Sequence, residues 1–429
     1  MAAIDRDIAR LAIPALGALV AEPLFLLTDT ALVGHLGPAP LAGLGLASTV
    51  LQTAVGLLVV LAYATTPAVA RLVGAGDRAG AVRAGIDGMW LAAIVGVVLL
   101  VGIPLSPAIV GAFGADGEVS AQATTYLAVS LAGIPAMLLV LAATGLLRGL
   151  QNTRIPLLVA VVGFAANAAL NAVLIYPAGL GIAGSALGTV IAQWGMAIVY
   201  VVIAVRAARR DTVTLRPSLR ALGRVATSGA WLFARTLALR VALVGTTVVA
   251  TTLGTTALAA TQIAMTLLFT LALVLDALAI AGQALVGHGL GAGDPPRVRA
   301  ITKRLVLVGV AAGLGLGAIV AGSATVLPAV FTNDPGIRDA LVPMLLVLAA
   351  SIPLGGVVFV LDGVLIGAGD ARYLALAGVI NLAVYLPLLA AVAVTQAGAT
   401  WLFAAFGFGY LGVRTVTLGL RARTDRWLR

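Results

Sequence analysis

The chain has no cysteine, a single lysine (Lys303), two histidines and few charged side chains of either sign. Without cysteine there is no disulfide framework and no thiol chemistry, and nothing marks a redox compartment. Charged residues make up 10% of the 429 positions and hydrophobic ones 61%. A soluble globule carries about a quarter charged residues, so a water-soluble fold is excluded. The two histidines, His35 and His288, lie far apart in the chain and suggest no metal site. No nucleophile–base pair and no metal-ligating cluster can be found, so the chain is not read as an enzyme and no cofactor is expected. The recurring Gly-Ala-Gly-Asp turn lacks the Lys-Ser/Thr pair of a phosphate-binding loop and follows an apolar helix rather than a strand. ATP is thereby excluded as the energy source, leaving an ion gradient or the substrate's own.

What is present is hydrocarbon-compatible helix. Stretches long enough to cross a membrane core of about 30 Å can be placed near 10–35, 41–70, 82–104, 119–147, 155–178, 183–205, 225–253, 257–287, 300–322, 338–366, 373–394 and 397–420. These spacings predict an all-α integral membrane protein with twelve transmembrane helices. The N-terminus (Arg6, Arg10) and every second connection carry most of the arginines: Arg71, Arg78 and Arg83; Arg148 and Arg154; Arg206 to Arg224; Arg297 to Arg304; Arg372; and Arg421 to Arg429. The intervening connections carry no lysine or arginine. By the positive-inside rule both termini are expected in the cytoplasm, in a cell (inner) membrane. The net charge of +10 then has a topological explanation, and no nucleic-acid partner is needed. Arginine in place of lysine points to a coding sequence rich in G and C, which favours a bacterial source. The first apolar segment is read as a span rather than a signal peptide: Asp5 and Asp7 spoil a basic leader, and the apolar run exceeds a typical h-region.

The chain is also duplicated. At an offset of 217 residues, Gly74-Ala75-Gly76-Asp77 recurs as Gly291-Ala292-Gly293-Asp294, and Leu36-Gly37 as Leu253-Gly254. At 218, Ile134-Pro135 recurs as Ile352-Pro353 and Arg154 as Arg372. The expected organisation is an N-lobe over residues 1–205, a cytoplasmic linker over 206–224, and a C-lobe over 225–429. Because each half has an even number of spans, two pseudo-symmetric six-helix lobes would enter the membrane in one orientation and leave a central cleft, a common transporter plan. The 51 glycines suit close helix packing in lipid.

Ionisable groups inside spans are costly and usually face a cavity or a partner. Glu22 and Asp29 are seven residues apart on the first span, two turns along one face, and in a poorly hydrated cleft such carboxylates could exchange protons near neutral pH. Helix capping or pairing with arginine is the plainer role. Arg235 in span seven and Asp276 in span eight sit at equal depth, which predicts a structural ion pair. Asn167 and Asn171 share one face of span five and could join a proton network or coordinate a cation, with interhelical bonding as the alternative. Pro14 and Pro23 make the first span a candidate hinge, or simply a kinked helix.

Several stretches resemble the multidrug and toxic compound extrusion (MATE) family, in its DinF-like branch, across essentially the whole chain. They are Thr28-Asp29-Thr30-Ala31-Leu32-Val33-Gly34-His35-Leu36-Gly37, the segments Ala260–Ala264 and Leu275–Gly287 of spans seven and eight, and Phe359-Val360-Leu361-Asp362-Gly363 before Gly367-Ala368-Gly369-Asp370. The resemblance implies alternating access, with export driven by inward proton or sodium flow. It also implies an N-lobe cation site: Asp29 matches the site's aspartate, Tyr126 a tyrosine, Asn167 an asparagine, Thr189 a threonine and Pro14 the bending proline. Asn171 stands where many relatives have aspartate, and Thr144 where some have asparagine. With one carboxylate lost, the proton is preferred over sodium, Asp29 being the principal titrating group with help from Glu22. The expected activity is export of amphipathic, often cationic drugs or metabolites by a monomer in the lipid bilayer. A flippase of a lipid-linked or amphiphilic precursor is the alternative.

Overall fold

The computed structural model describes residues 2–114 and 117–428, and side chains at all of these except Ala2 and Ala221. Arg429, in the basic C-terminal cluster, and Ala115 and Asp116, in the 105–118 connection, lie outside the described residues. The described chain is helical: α1 (Ala2–Gly34), α2 (Pro38–Leu58), α3 (Val60–Gly74), α4 (Arg78–Leu99), α5 (Gly102–Gly111), α6 (Gly117–Leu131), α7 (Ile134–Gly149), α8 (Arg154–Ile175), α9 (Gly181–Arg210), α10 (Leu219–Thr252), α11 (Thr255–Gly291), α12 (Pro295–Ser323), α13 (Pro328–Phe331), α14 (Pro335–Gly367), α15 (Ala371–Thr395), α16 (Ala399–Ala404) and α17 (Leu411–Arg423). A π-helical turn, Ala405–Tyr410, joins α16 to α17. Eleven stretches are long and apolar enough to cross a membrane, α2 with α3 and α16 with α17 each counting as one. The pair α6 and α7 makes a twelfth, bent by 49°. This is an all-α, multi-pass membrane protein with the twelve spans expected.

The bend has a local cause. Pro135 opens α7 without a backbone donor, and the carbonyl of Ala132, just before the break, accepts the indole N–H of Trp194 at 3.1 Å. The equivalent Pro353 lies inside the uninterrupted α14. Both prolines meet a glycine of a neighbouring helix. A Cβ at Gly96 would lie 2.5 Å from the Pro135 Cα, and one at Gly313 2.7 Å from the Pro353 Cα, so no larger residue permits that approach.

The same turn is built four times. After α3, α7, α11 and α14 a residue with positive φ (Gly76, Gln151, Gly293, Gly369) lets the next amide reach five residues back: Asp77 to Leu72, Asn152 to Leu147, Asp294 to Gly289, and Asp370 to Leu365, at 2.8–3.1 Å. These are Schellman closures. Asp77 and Asp294 then cap α4 and α12 by accepting from the amides of Gly80 (2.7 Å) and Arg297 (3.0 Å), as an N-cap aspartate does. The Gly-Ala-Gly-Asp repeat is thus a stop-and-restart signal.

Two compact units result, one of residues 17–229 and one of residues 1–16 with 230–429. This division differs from the boundaries expected from the sequence at both ends of the first half. Residues 1–16 fold with the C-terminal helices because Asp5 receives Nε and Nη2 of Arg304 (2.5 and 2.9 Å) and Asp7 lies 3.6 Å from Arg297. The connection over 211–218 belongs to the N-terminal unit because α4 holds it: Arg78 pairs with Asp211 at 3.1 Å, Arg83 donates to the Thr214 carbonyl, Trp90 to that of Leu215, and Asp87 accepts the Ser218 amide. In the 17–229 unit α7 packs on α3 and α4, α2 on α6, and α8 on α9. In the other, α14 packs between α11 and α12 over a core including Leu341, Leu345, Leu348 and Tyr385.

Candidate functional site: a buried carboxylate in the N-terminal unit

Four helices of the 17–229 unit bring polar side chains to one point. Helix α1 contributes Asp29, which is 3% exposed. Its flanks are fixed on α8 by the stacked rings of Phe25 and Phe164, 5.2 Å apart, and by the Tyr176 hydroxyl donating to the Leu32 carbonyl at 2.8 Å. Helix α8 contributes Asn167 and Asn171, helix α9 Ser185 and Thr189, and helix α6 Tyr126 and Ser130. Each pair is spaced by four residues and so stands on one helix face.

Asp29 accepts three hydrogen bonds. The Ser185 hydroxyl (2.5 Å) and the Asn171 amide (2.9 Å) donate to Oδ1, and the Tyr126 hydroxyl (3.0 Å) donates to Oδ2. Asn171 also donates to Asn167 Oδ1 at 3.0 Å, and Asn167 donates to the Thr189 hydroxyl at 3.0 Å. Hydrogen bonds to a charged acceptor contribute about 1.5–3 kcal/mol each, so this donor set suits an ionised carboxylate. One buried oxygen beside it, Asn171 Oδ1, has no hydrogen-bond partner. Gly188 makes room for it: a Cβ there would overlap Asn171 Oδ1.

Of the residues singled out in the sequence, Asp29, Tyr126, Asn167, Asn171 and Thr189 are brought together. Thr144 is not in the cluster, since its hydroxyl donates to Tyr200 Oη at 3.3 Å. Glu22 is exposed, and no side chain among the described residues hydrogen-bonds to it; the carboxylate stripe is buried at one end only. Pro14 and Pro23 both lie within the continuous α1, with the boundary between the two units falling at Leu16 and Gly17, next to Pro14. Ser185 was missed. A serine among small residues carries no signal by itself, but its spacing from Thr189 repeats that of Asn167 and Asn171.

The C-terminal unit holds a different polar cluster. Equal depth matches Arg235 to Asp276 in the sequence, and in the structure Arg235 makes an ion pair with Asp362 of α14, contacted by both its Nε (3.3 Å) and Nη2. Arg414 of α17 donates to the same carboxylate at 2.6 Å. Asp276 is half-buried and has interactions of its own. Next to the triad, Thr417 donates to Asn381 Oδ1 at 3.1 Å, and the Tyr410 ring lies 5.7 Å from the Arg414 guanidinium carbon. Among the described residues no three His, Cys, Asp or Glu side chains gather as a metal site.

A family model, MatE, matches this chain twice, over residues 14–173 and 233–391. The chain belongs to the MatE family. The two matches fall one in each repeat, with the buried carboxylate inside the first and the Arg235–Asp362 pair inside the second. Among MatE-related proteins, Protein DETOXIFICATION 44, chloroplastic, of Arabidopsis thaliana is 30% identical over 88% of this chain and 74% of its own length. DNA damage-inducible protein F of Escherichia coli is 30% identical over 46% of this chain and 43% of its own length. The probable multidrug resistance protein NorM of Thermotoga maritima is 29% identical over 44% and 42% respectively. The Vibrio cholerae MATE transporter VcmN, in its bent form, superposes with a TM-score of 0.90 at 22% identity, covering 100% of this chain and 99% of that one. A MOP superfamily transporter from Pyrococcus furiosus gives 0.87 at 23% identity, over 98% and 95%. These last two likenesses concern the MatE fold.

Proposed function

We propose that this protein is a proton-coupled antiporter of the DinF-like branch that exports amphipathic, often cationic small molecules by alternating access. It acts as a monomer in a bacterial inner membrane, with both termini in the cytoplasm. The observation that carries this reading is Asp29, a single carboxylate buried inside a span and served by three donors, two of them hydroxyls that can rotate. Ionised, the carboxylate takes all three. Protonated, it becomes a donor itself, and the Ser185 or Tyr126 hydroxyl must turn to receive it. The two protonation states therefore need different hydrogen-bond patterns across α1, α6, α8 and α9, and bending of α1 at Pro14 or Pro23 would turn that difference into motion. Coupling further requires that proton and substrate favour different states of the transporter. The NorM relative supports a drug-like cargo, and the relative named DNA damage-inducible protein F supports the branch.

One observation favours sodium as a second reading: Asn171 Oδ1, unpartnered beside Asp29, adds a neutral oxygen of the kind hard cations use. Efflux of an amphipathic cation such as ethidium from proteoliposomes, under an imposed proton gradient, a sodium gradient or neither, separates the two. Proton-driven efflux supports the proposal. Efflux driven by sodium alone overturns the choice of ion, and no efflux under either gradient overturns the antiporter reading.

A further inference from the structure

We infer that a recess beside Asp362 in the C-terminal unit binds one chloride ion, held by Arg414, Asn381 and Tyr410. The recess lies among α10, α14, α15 and α17, and these three side chains line it together with Asp362 and Arg235. The rest of its wall is apolar. Asn381 and Tyr410 are each 2% exposed and Arg414 8%, yet each keeps donor capacity that the fold does not use. Asn381 accepts from the Thr417 hydroxyl through Oδ1 at 3.1 Å, while its Nδ2 has no hydrogen-bond partner among the described residues. Tyr410 Oη has none either, although a π-helical turn carries that ring to the recess, and such turns are frequent at functional sites. Arg414 engages Nη2, at 2.6 Å from Asp362, and leaves Nε and Nη1 without hydrogen-bond partners among the described residues.

Polar groups placed this deep are costly without partners, and the groups left over are of one kind. Asp362 does not absorb them, because its carboxylate already receives Nε and Nη2 of Arg235 and Nη2 of Arg414. A cation would meet these N–H groups and both guanidinium charges. An anion accepts from all of them and needs no acceptor in return. Size narrows the choice: the free space, about 10 Å³, holds one water-sized body. That admits a halide and excludes a carboxylate or phosphate carried on a larger molecule.

Chlorine NMR line broadening by the detergent-purified protein tests this, with chloride titrated at constant ionic strength and gluconate making up the balance. The wild type is expected to broaden the chloride line saturably, and bromide should displace the bound ion. Tyr410→Phe removes a hydroxyl that makes no hydrogen bond within the fold, so it should fold normally and bind chloride about tenfold more weakly, the loss of one hydrogen bond to a charged group. Asn381→Asp sets a carboxylate against the ion and should abolish binding. No saturable broadening by the wild type overturns the inference and leaves the recess to water. Saturable broadening that is unchanged in Tyr410→Phe and Asn381→Asp also overturns it, since the ion then sits elsewhere. No transport is measured, so this outcome is separate from that of the antiporter proposal.

Discussion

The Arg235–Asp362–Arg414 cluster permits a prediction whose size follows from burial. Asp362 is 7% and Arg414 8% exposed, and breaking a buried ion pair by removing one partner costs about 3–5 kcal/mol. In Arg414→Met, Asp362 keeps the two-point contact of Arg235, so the loss should fall near the lower end, about 3 kcal/mol. In Asp362→Leu two guanidinium groups are left facing each other without the shared carboxylate, and the loss should reach the upper end, about 5 kcal/mol. The double variant Asp362→Leu/Arg414→Met removes that repulsion and should be more stable than Asp362→Leu alone, a non-additivity expected for residues in one network. At about 2–4 °C per kcal/mol for a unit of this size, Arg414→Met should lower the midpoint of thermal unfolding in detergent by about 6–12 °C. A midpoint like that of the wild type, or a double-variant loss equal to the sum of the two single losses, would refute the view that the cluster is a shared structural lock.

Other expectations concern the carboxylate site. Ser185→Ala and Tyr126→Phe each remove one donor to Asp29, an interaction of about 1.5–3 kcal/mol. Each should slow proton-driven efflux by about tenfold or more without changing the yield of folded protein, and wild-type rates in both variants would contradict the assigned network. Gly188→Ala places a methyl group where Asn171 Oδ1 lies; it should displace that amide and weaken efflux, while Gly195→Ala on the same helix, with open space around it, should not. In the N-terminal segment, Asp5→Arg should destabilise the seating of residues 1–16 on α12, and Asp5→Arg/Arg304→Asp should restore it, read as protease sensitivity of that segment. Failure of the reversal to restore it would remove the ion pair from the explanation.

Much of this architecture could be read from the chain because the bilayer leaves so few options. Twelve apolar stretches, arginines in alternate connections and a 217-residue offset are coarse signals, and each survives small errors in helix boundaries. Asp29 was legible for the same reason: an acid within a span stands out against hydrocarbon. Which groups meet it was harder to see. The set Tyr126, Asn167, Asn171 and Thr189 came from resemblance, and Ser185, which makes the shortest bond to Asp29, gave no individual signal. Asp362 and Arg414 could have been found by treating every ionisable residue inside a span as Asp29 was treated. Asp362 was seen only as part of a motif, and Arg235 was matched by depth to Asp276. The seating of residues 1–16 with the C-terminal helices was not legible at all. It depends on Asp5 and Asp7 meeting Arg304 and Arg297, pairs nearly three hundred residues apart in the chain, and repeat symmetry assigns the first span to the first half.

Asp29 is proposed as the group through which a proton gradient does work. Its most direct test is proton-gradient-driven efflux from proteoliposomes containing Asp29→Asn, a substitution that keeps the size of the side chain and removes its titration, with substrate binding measured in the same preparation. Asp29→Asn is expected to bind substrate still but to show no efflux above the gradient-free rate; gradient-driven efflux at the wild-type rate would rule out that role for Asp29.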